Sequence, residues 1–93
     1  MTPEGRIEAY LKKQVEAAGG SIRKVRWIGR RNAPDRLAWI RAPGAWIEVK
    51  CSGEVPTPPQ QREHERLRKD GWIVLVVDSY ETVDSAVKFL THL

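Results

Sequence analysis

Residues 72–77, Trp-Ile-Val-Leu-Val-Val, put six apolar side chains on consecutive positions of a 93-residue chain. With no polar face, a strand over 72–78 must be covered on both sides. Six residues are too few to cross a bilayer, so no membrane-spanning helix is expected. A strand buried this way calls for a parallel or mixed sheet with helices against it. The rest of the chain supplies both. Ile7, Leu11, Val15 and Ala18 recur at helical spacing over 4–18, with Thr2 as N-cap, Pro3 at the first helical position and Gly19-Gly20 as the stop. A second helix is expected over 58–70, opened by Pro58 and closed by Gly71. A third, over 80–91, carries Val83, Val87 and Leu90 on one face, with Asp78 or Ser79 as its cap. Ile22, Val25 and Ile28 mark a strand over 21–28, and Leu37, Trp39 and Ile40 a strand over 36–41. The tight Ala42-Pro43-Gly44 connection predicts an antiparallel hairpin with a strand over 45–51. The fold class is therefore α/β, ordered α-β-β-β-α-β-α around a mixed central sheet, in one domain over 1–93.

The charge is uneven. The chain carries 16 Lys+Arg against 12 Asp+Glu, a net +4. Its last segment, 73–93, holds Asp78, Glu81 and Asp84 against Lys88 alone, so the excess lies earlier. Arg23, Lys24, Arg26, Arg30, Arg31 and Arg36 crowd one stretch, and Arg62, Arg66, Arg68 and Lys69 another. Guanidinium forks match phosphate oxygens, so clustered arginine points to a polyanion such as nucleic acid. The single cysteine, Cys51, cannot staple the fold and suits a reducing cytoplasm. One cysteine and two distant histidines exclude a zinc finger. Glu4, Arg6 and Glu8 interrupt any apolar leader, so no signal peptide is expected.

Chemistry concentrates between Pro34-Asp35 and Glu48-Val49-Lys50. Glu48 and Lys50 stand two apart on a strand and share a face, while Val49 points into the core. If the hairpin forms, Asp35 comes near Lys50 and Cys51 in register. Two carboxylates and an ammonium then converge. Two hard oxygen donors with open positions suit Mg²⁺ or Mn²⁺, which keep waters and take phosphate oxygens. Lys50 would position or deprotonate a water, or neutralise a phosphate.

These residues resemble the signature of the PD-(D/E)xK nuclease superfamily, and their details resemble its VRR-NUC branch. The resemblance runs through nearly the whole chain. The stretch from Glu4 to Leu11 followed by Gly19-Gly20 is similar to the family's first helix. Gly29-Arg-Arg-Asn-Ala-Pro-Asp-Arg-Leu37 is similar to its GRRGxPDRL segment, with Asn32 as the departure. Trp46-Ile-Glu-Val-Lys50 matches its ExK strand, and Thr57-Pro-Pro-Gln60 with Leu67 and Gly71 its second helix. Val76-Val-Asp-Ser79 resembles its closing strand.

The resemblance implies a restriction-endonuclease-like fold and a Mg²⁺- or Mn²⁺-dependent, structure-specific endonuclease. For stand-alone, phage-type members it implies a homodimer cutting four-way (Holliday) junctions in a bacterial or phage-infected cell; other members act on flaps or crosslinked DNA. A two-fold junction needs two symmetry-related sites, which a dimer provides. Asp35 and Glu48 are the expected metal ligands, with the Val49 carbonyl a third and Lys50 the catalytic lysine. Glu8, with Glu4 as alternative, is expected to reach the site as ligand or water-orienting acid. Gln60, with Gln61 as alternative, is expected to bond Lys50 or the water. Arg30, Arg31 and Arg36 are expected at phosphates near the scissile bond, although Arg36 could instead brace the site. Arg62, Arg66 and Lys69 share one helical face and would hold a second duplex arm, unless Glu63 and Glu65 tie them up. His64 and His92 read as surface residues, and the four tryptophans as core or dimer interface, one of them free to stack on an unpaired base. The competing readings are a flap or splayed-arm nuclease, a non-catalytic DNA-binding module and a dimerisation domain.

Overall fold

The computed structural model describes residues 1–93. Its elements are α1 (Pro3–Ala17), β1 (Ser21–Lys24), β2 (Arg36–Trp39), β3 (Ala45–Val49), α2 (Pro58–Lys69), β4 (Val74–Val77) and α3 (Tyr80–Thr91). The order is the expected α-β-β-β-α-β-α. One mixed sheet runs β1-β2-β3-β4. β1 pairs antiparallel with β2, β2 antiparallel with β3, and β3 parallel with β4. The parallel pair is possible because α2 carries the chain back across the sheet.

The helix ends follow their local chemistry. The Thr2 hydroxyl accepts from Gly5 N, with Pro3 at the first position. Thr57 with Gln60 and Ser79 with Thr82 form reciprocal capping boxes on α2 and α3.

Strand alternation divides the interior into two unlike halves. On one face Ile47, Val49, Ala38 and Val77 meet Ile7, Leu11 and Val15 of α1 and Val83, Ala86 and Leu90 of α3. Tyr10 ties the two helices: its ring stacks on Tyr80 at 4.3 Å and its hydroxyl donates to Asp84 at 2.7 Å. On the other face Trp46, Val74 and Leu67 of α2 gather Val25, Trp27 and Leu37. Trp46 sits 4.9 Å from Trp27 and 6.0 Å from Trp72, ring centre to ring centre. Leu67 is the single buried apolar residue of α2, so that helix is held to the sheet largely by polar groups.

All four strands are shorter than their sequences suggest: β2 ends at Trp39 rather than at residue 41, and β4 spans Val74–Val77 rather than 72–78. β1 ends at Lys24, not at residue 28. Val25 N still donates to Asp35 O at 2.8 Å, but Val25 and Trp27 then turn in against Trp46. β3 ends at Val49, although Lys50 N extends the ladder by donating to Val77 O at 2.9 Å. Between β2 and β3, Gly44 has φ +77°, and a Cβ there would collide with the Ala38 carbonyl oxygen. Gly19 also has positive φ, +86°, but open space around it. Gly19→Ala should therefore cost only the left-handed strain of about 1–2 kcal/mol. Gly44→Ala should cost clearly more, because strand spacing must also give; urea unfolding of the two variants measures the difference.

Candidate active site

The β2–β3 register, Arg36 with Ile47 and Leu37 with Trp46, carries on past Arg36 to bring Asp35 level with Glu48. The hairpin expectation, with Asp35 beside Lys50 and Cys51, lies at least two residues too far along. The strands leave their turn earlier than the apolar pattern suggests. By alternation Asp35, Glu48 and Lys50 share the sheet face that carries Trp46.

Asp35 is held by its backbone. Pro34 is fully buried. Its carbonyl accepts Trp27 Nε1–H at 2.8 Å, and the Asp35 carbonyl accepts Val25 N–H. The preceding loop turns at Asn32, whose φ of +65° is left-handed. Asparagine adopts that conformation more easily than any residue with a bulky side chain, which accounts for it in a glycine-like position.

Glu48 is mostly covered, with 12% of its side chain exposed. Burial pushes its carboxyl above the usual carboxylate range. The His64 hydrogen bond and the Lys50 ammonium pull it back, and the Asp35 charge pushes it up again. Asp35 and Lys50 thus both lie close enough to act on Glu48. The two carboxylates, with the main-chain oxygen of Val49 as the expected third donor, would make a hard-oxygen set, which fits Mg²⁺ or Mn²⁺. No three His, Cys, Asp or Glu side chains converge into a metal-holding group, so any such ion would keep waters or substrate oxygens.

Several expected residues stand elsewhere. Glu8 is not brought to the carboxylate pair. It sits on α1, and its Oε1 is ion-paired with Arg36 Nη2 at 2.9 Å. Arg36 shares a face with Ala38, bridges Glu8 to Asp35 Oδ1 at 2.8 Å and is only 13% exposed. Its Nη1 faces Asp35 as an ion pair without a well-aligned hydrogen bond. Arg36 is therefore tied between Asp35 and Glu8 and mostly covered, the bracing arrangement. Gln60 Oε1 accepts from Thr57 N at 2.9 Å as half of the capping box, and no hydrogen bond joins it to Lys50. Gln61 Nε2 donates to Pro56 O. Arg30 grips Glu63 through Nε at 3.1 Å and Nη2 at 2.5 Å, and Arg66 reaches the same carboxylate at 3.3 Å. Arg31, Arg62 and Lys69 are exposed with no acidic partner. Cys51 lies just past β3, and burial pushes its thiol up, away from nucleophilic character.

His64 is the residue sequence reasoning misplaced. It is 2% exposed, not a surface residue, and its Nε2 lies 3.1 Å from Glu48 Oε1. With Glu48 ionised, the Nε2–H donates. A signal existed: Glu63 and His64 precede Leu67 by four and three residues, so they share the inward face its side chain marks.

A groove of about 380 Å³ opens beside Asp35, walled by Lys24, Arg26, Trp27 and Arg30. A larger one, about 730 Å³, follows α2 past Arg62, Arg66 and Arg68. Both are basic.

Arg30 and Arg66 hold the Glu63 carboxyl below its usual value of 4.5, Arg30 contributing most. A carboxylate with a depressed folded value stabilises the protein above its unfolded value and loses that contribution as pH falls through the folded one. Glu63→Gln should therefore unfold at lower urea than the parent at pH 7, and the gap should close as pH drops below 4.5.

No family model matches the chain. A protein of Acyrthosiphon pisum secondary endosymbiont phage 1, described as "Putative nuclease p44", is 42% identical over 81 residues, covering 84% of this chain and 85% of its own. A solved structure described as a VRR_NUC domain superposes with a TM-score of 0.83 at 44% identity, over 95% of this chain and 97% of that one.

Proposed function

The chain belongs to the VRR-NUC family of nucleases, and from that premise we propose a metal-dependent, structure-specific DNA endonuclease that hydrolyses phosphodiester bonds in branched DNA. The preferred substrate is a four-way junction, cut by a homodimer. What supports the reading is the register that sets Asp35 level with Glu48 and puts Lys50 on the same face of β3. A second reading, a flap or splayed-arm nuclease, draws on the same site and differs only in which DNA shape the basic grooves accept.

Asp35, Glu48 and the Val49 carbonyl would hold Mg²⁺ or Mn²⁺. The ion, when bound, supplies Lewis-acid polarisation of the phosphoryl group. Arg36, held by Glu8, fixes Asp35 in place. Lys50 Nζ neutralises charge on the phosphoryl oxygens and orients the attacking water; Gln60, its oxygen held by the Thr57 cap, stays outside that step. Water adds to phosphorus and gives up a proton, the bond to the leaving sugar oxygen breaks, and that oxygen takes up a proton, leaving a phosphate end and a sugar hydroxyl. Arg31, Arg62 and Lys69 are free to meet phosphates at no cost in broken ion pairs, whereas Arg30 and Arg66 must first leave Glu63. No helix is long and apolar enough to cross a membrane. The free thiol of Cys51 fits a reducing cytoplasm.

The test is cleavage of a labelled immobile four-way junction beside linear duplex, flap and single strand, in Mg²⁺, Mn²⁺ or EDTA. Paired symmetric nicks near the crossover, only with metal, are expected. Preferential flap cutting would move the substrate, and binding without cutting in any metal would leave a non-catalytic module. Asp35→Ala and Glu48→Ala should each lower cleavage by at least about 100-fold, the scale of removing one group that stabilises transition-state charge. Both should still bind the junction in EDTA. Arg31→Ala and Arg62→Ala should each reduce the slope of log affinity against log salt by about 1, one phosphate contact apiece.

A further inference from the structure

Helix α2 turns two ionisable residues inward, Glu63 at 3% and His64 at 2% exposure, with only Leu67 as buried apolar company. Buried polar groups need partners. Glu63 takes its partners from Arg30 and Arg66. His64 takes its partner from Glu48, across from the helix on the sheet. A buried hydrogen-bonded pair of this kind adds little net stability over two apolar side chains of the same shape. Packing of α2 therefore does not explain the pair. Its position does: Glu48 is a long, flexible side chain in a site with no third carboxylate to share the work of gripping an ion.

We propose that His64 is a positioning residue for the metal. Its Nε2–H fixes Glu48 Oε1 and so fixes the rotamer that leaves Oε2 for a divalent cation. The inference rests on the metal-dependent reading given above and extends it to a residue outside the Asp-Glu-Lys set. Holding a ligand's orientation before the ion arrives removes an ordering cost from binding.

Isothermal titration of MnCl₂ alone into the full chain tests this without DNA or turnover. The variants are His64→Phe, which keeps a ring and loses the donor, His64→Gln, whose amide reaches the Nε2 position, and His64→Asn, whose amide does not. Asp35→Ala serves as the site control. His64→Phe and His64→Asn should weaken Mn²⁺ binding by about 10–100-fold, and His64→Gln should stay within about threefold of the parent. Parent-like titrations from the Phe and Asn variants would overturn the proposal. So would a Gln variant binding no better than Asn, since packing alone would then be at work. If circular dichroism shows the Phe variant unfolded, the Gln and Asn pair separates the two outcomes by itself. A parent that binds no Mn²⁺ in a manner abolished by Asp35→Ala would sink the metal reading and this inference together. Parent binding with indifferent His64 variants sinks the inference alone.

Discussion

The pairing of β2 with β3 is the constraint on which the site depends. Side chains alternate across a sheet, so slipping one strand by a single residue would send every side chain to the opposite face. Leu37 beside Trp46 and Ala38 beside Ala45 resist that slip, because each member would exchange a buried or half-buried position for the wrong layer. The same register that satisfies those apolar contacts brings Asp35 across from Glu48. Two carboxylates repel one another, and nothing in their own chemistry would hold them there. Hydrophobic packing several residues away supplies the force.

The sheet separates two kinds of stabilisation. Against α1 and α3 it is an ordinary apolar core, with Leu11, Val15, Ile47, Val77 and Val83 all shut from solvent. Against α2 it is a mixed layer, in which tryptophans sit among ionisable groups. Arg30 with Glu63, His64 with Glu48, and Arg68 donating to the Val74 carbonyl at 2.9 Å fasten that helix. Arg36 connects the layers at the sheet's end, with Glu8 on the α1 side and Asp35 on the other. The apolar layer fixes where the strands lie, and the polar layer fixes where their functional side chains point.

Much of this is legible in the sequence. Helical periodicity, caps, runs of β-forming residues and the tight Ala42-Pro43-Gly44 connection mark all seven elements in order, and the alternation around Val49 puts Glu48 and Lys50 on one face. What escapes detection depends on long-range contacts. The end of β1 at Lys24 depends on Trp27 finding Trp46, far along the chain. The inward turn of Arg36 depends on an acid in α1 that no local pattern links to it. Arg30 reads as free because its partner, Glu63, lies on another element. His64 reads as exposed because α2 is so polar that no apolar stripe marks its inner side, apart from Leu67. The oxygen of Gln60 goes to a helix cap, which the Thr-Pro-Pro-Gln spacing could have indicated.

The three neighbouring indoles have a consequence of another kind. Trp46 lies within 6.0 Å of both Trp27 and Trp72, on the face that carries the carboxylates, and the ring nitrogen of Trp27 is bonded to the residue just before Asp35. Chromophores this close share excitation, so their near-ultraviolet dichroism and emission report on the cluster as a unit. Any loosening of the loop that anchors Asp35 must pull Trp27 from its neighbours and alter that signal. The chain thus has an intrinsic optical gauge of order around Asp35, readable without a label and independent of whether a bond is cut.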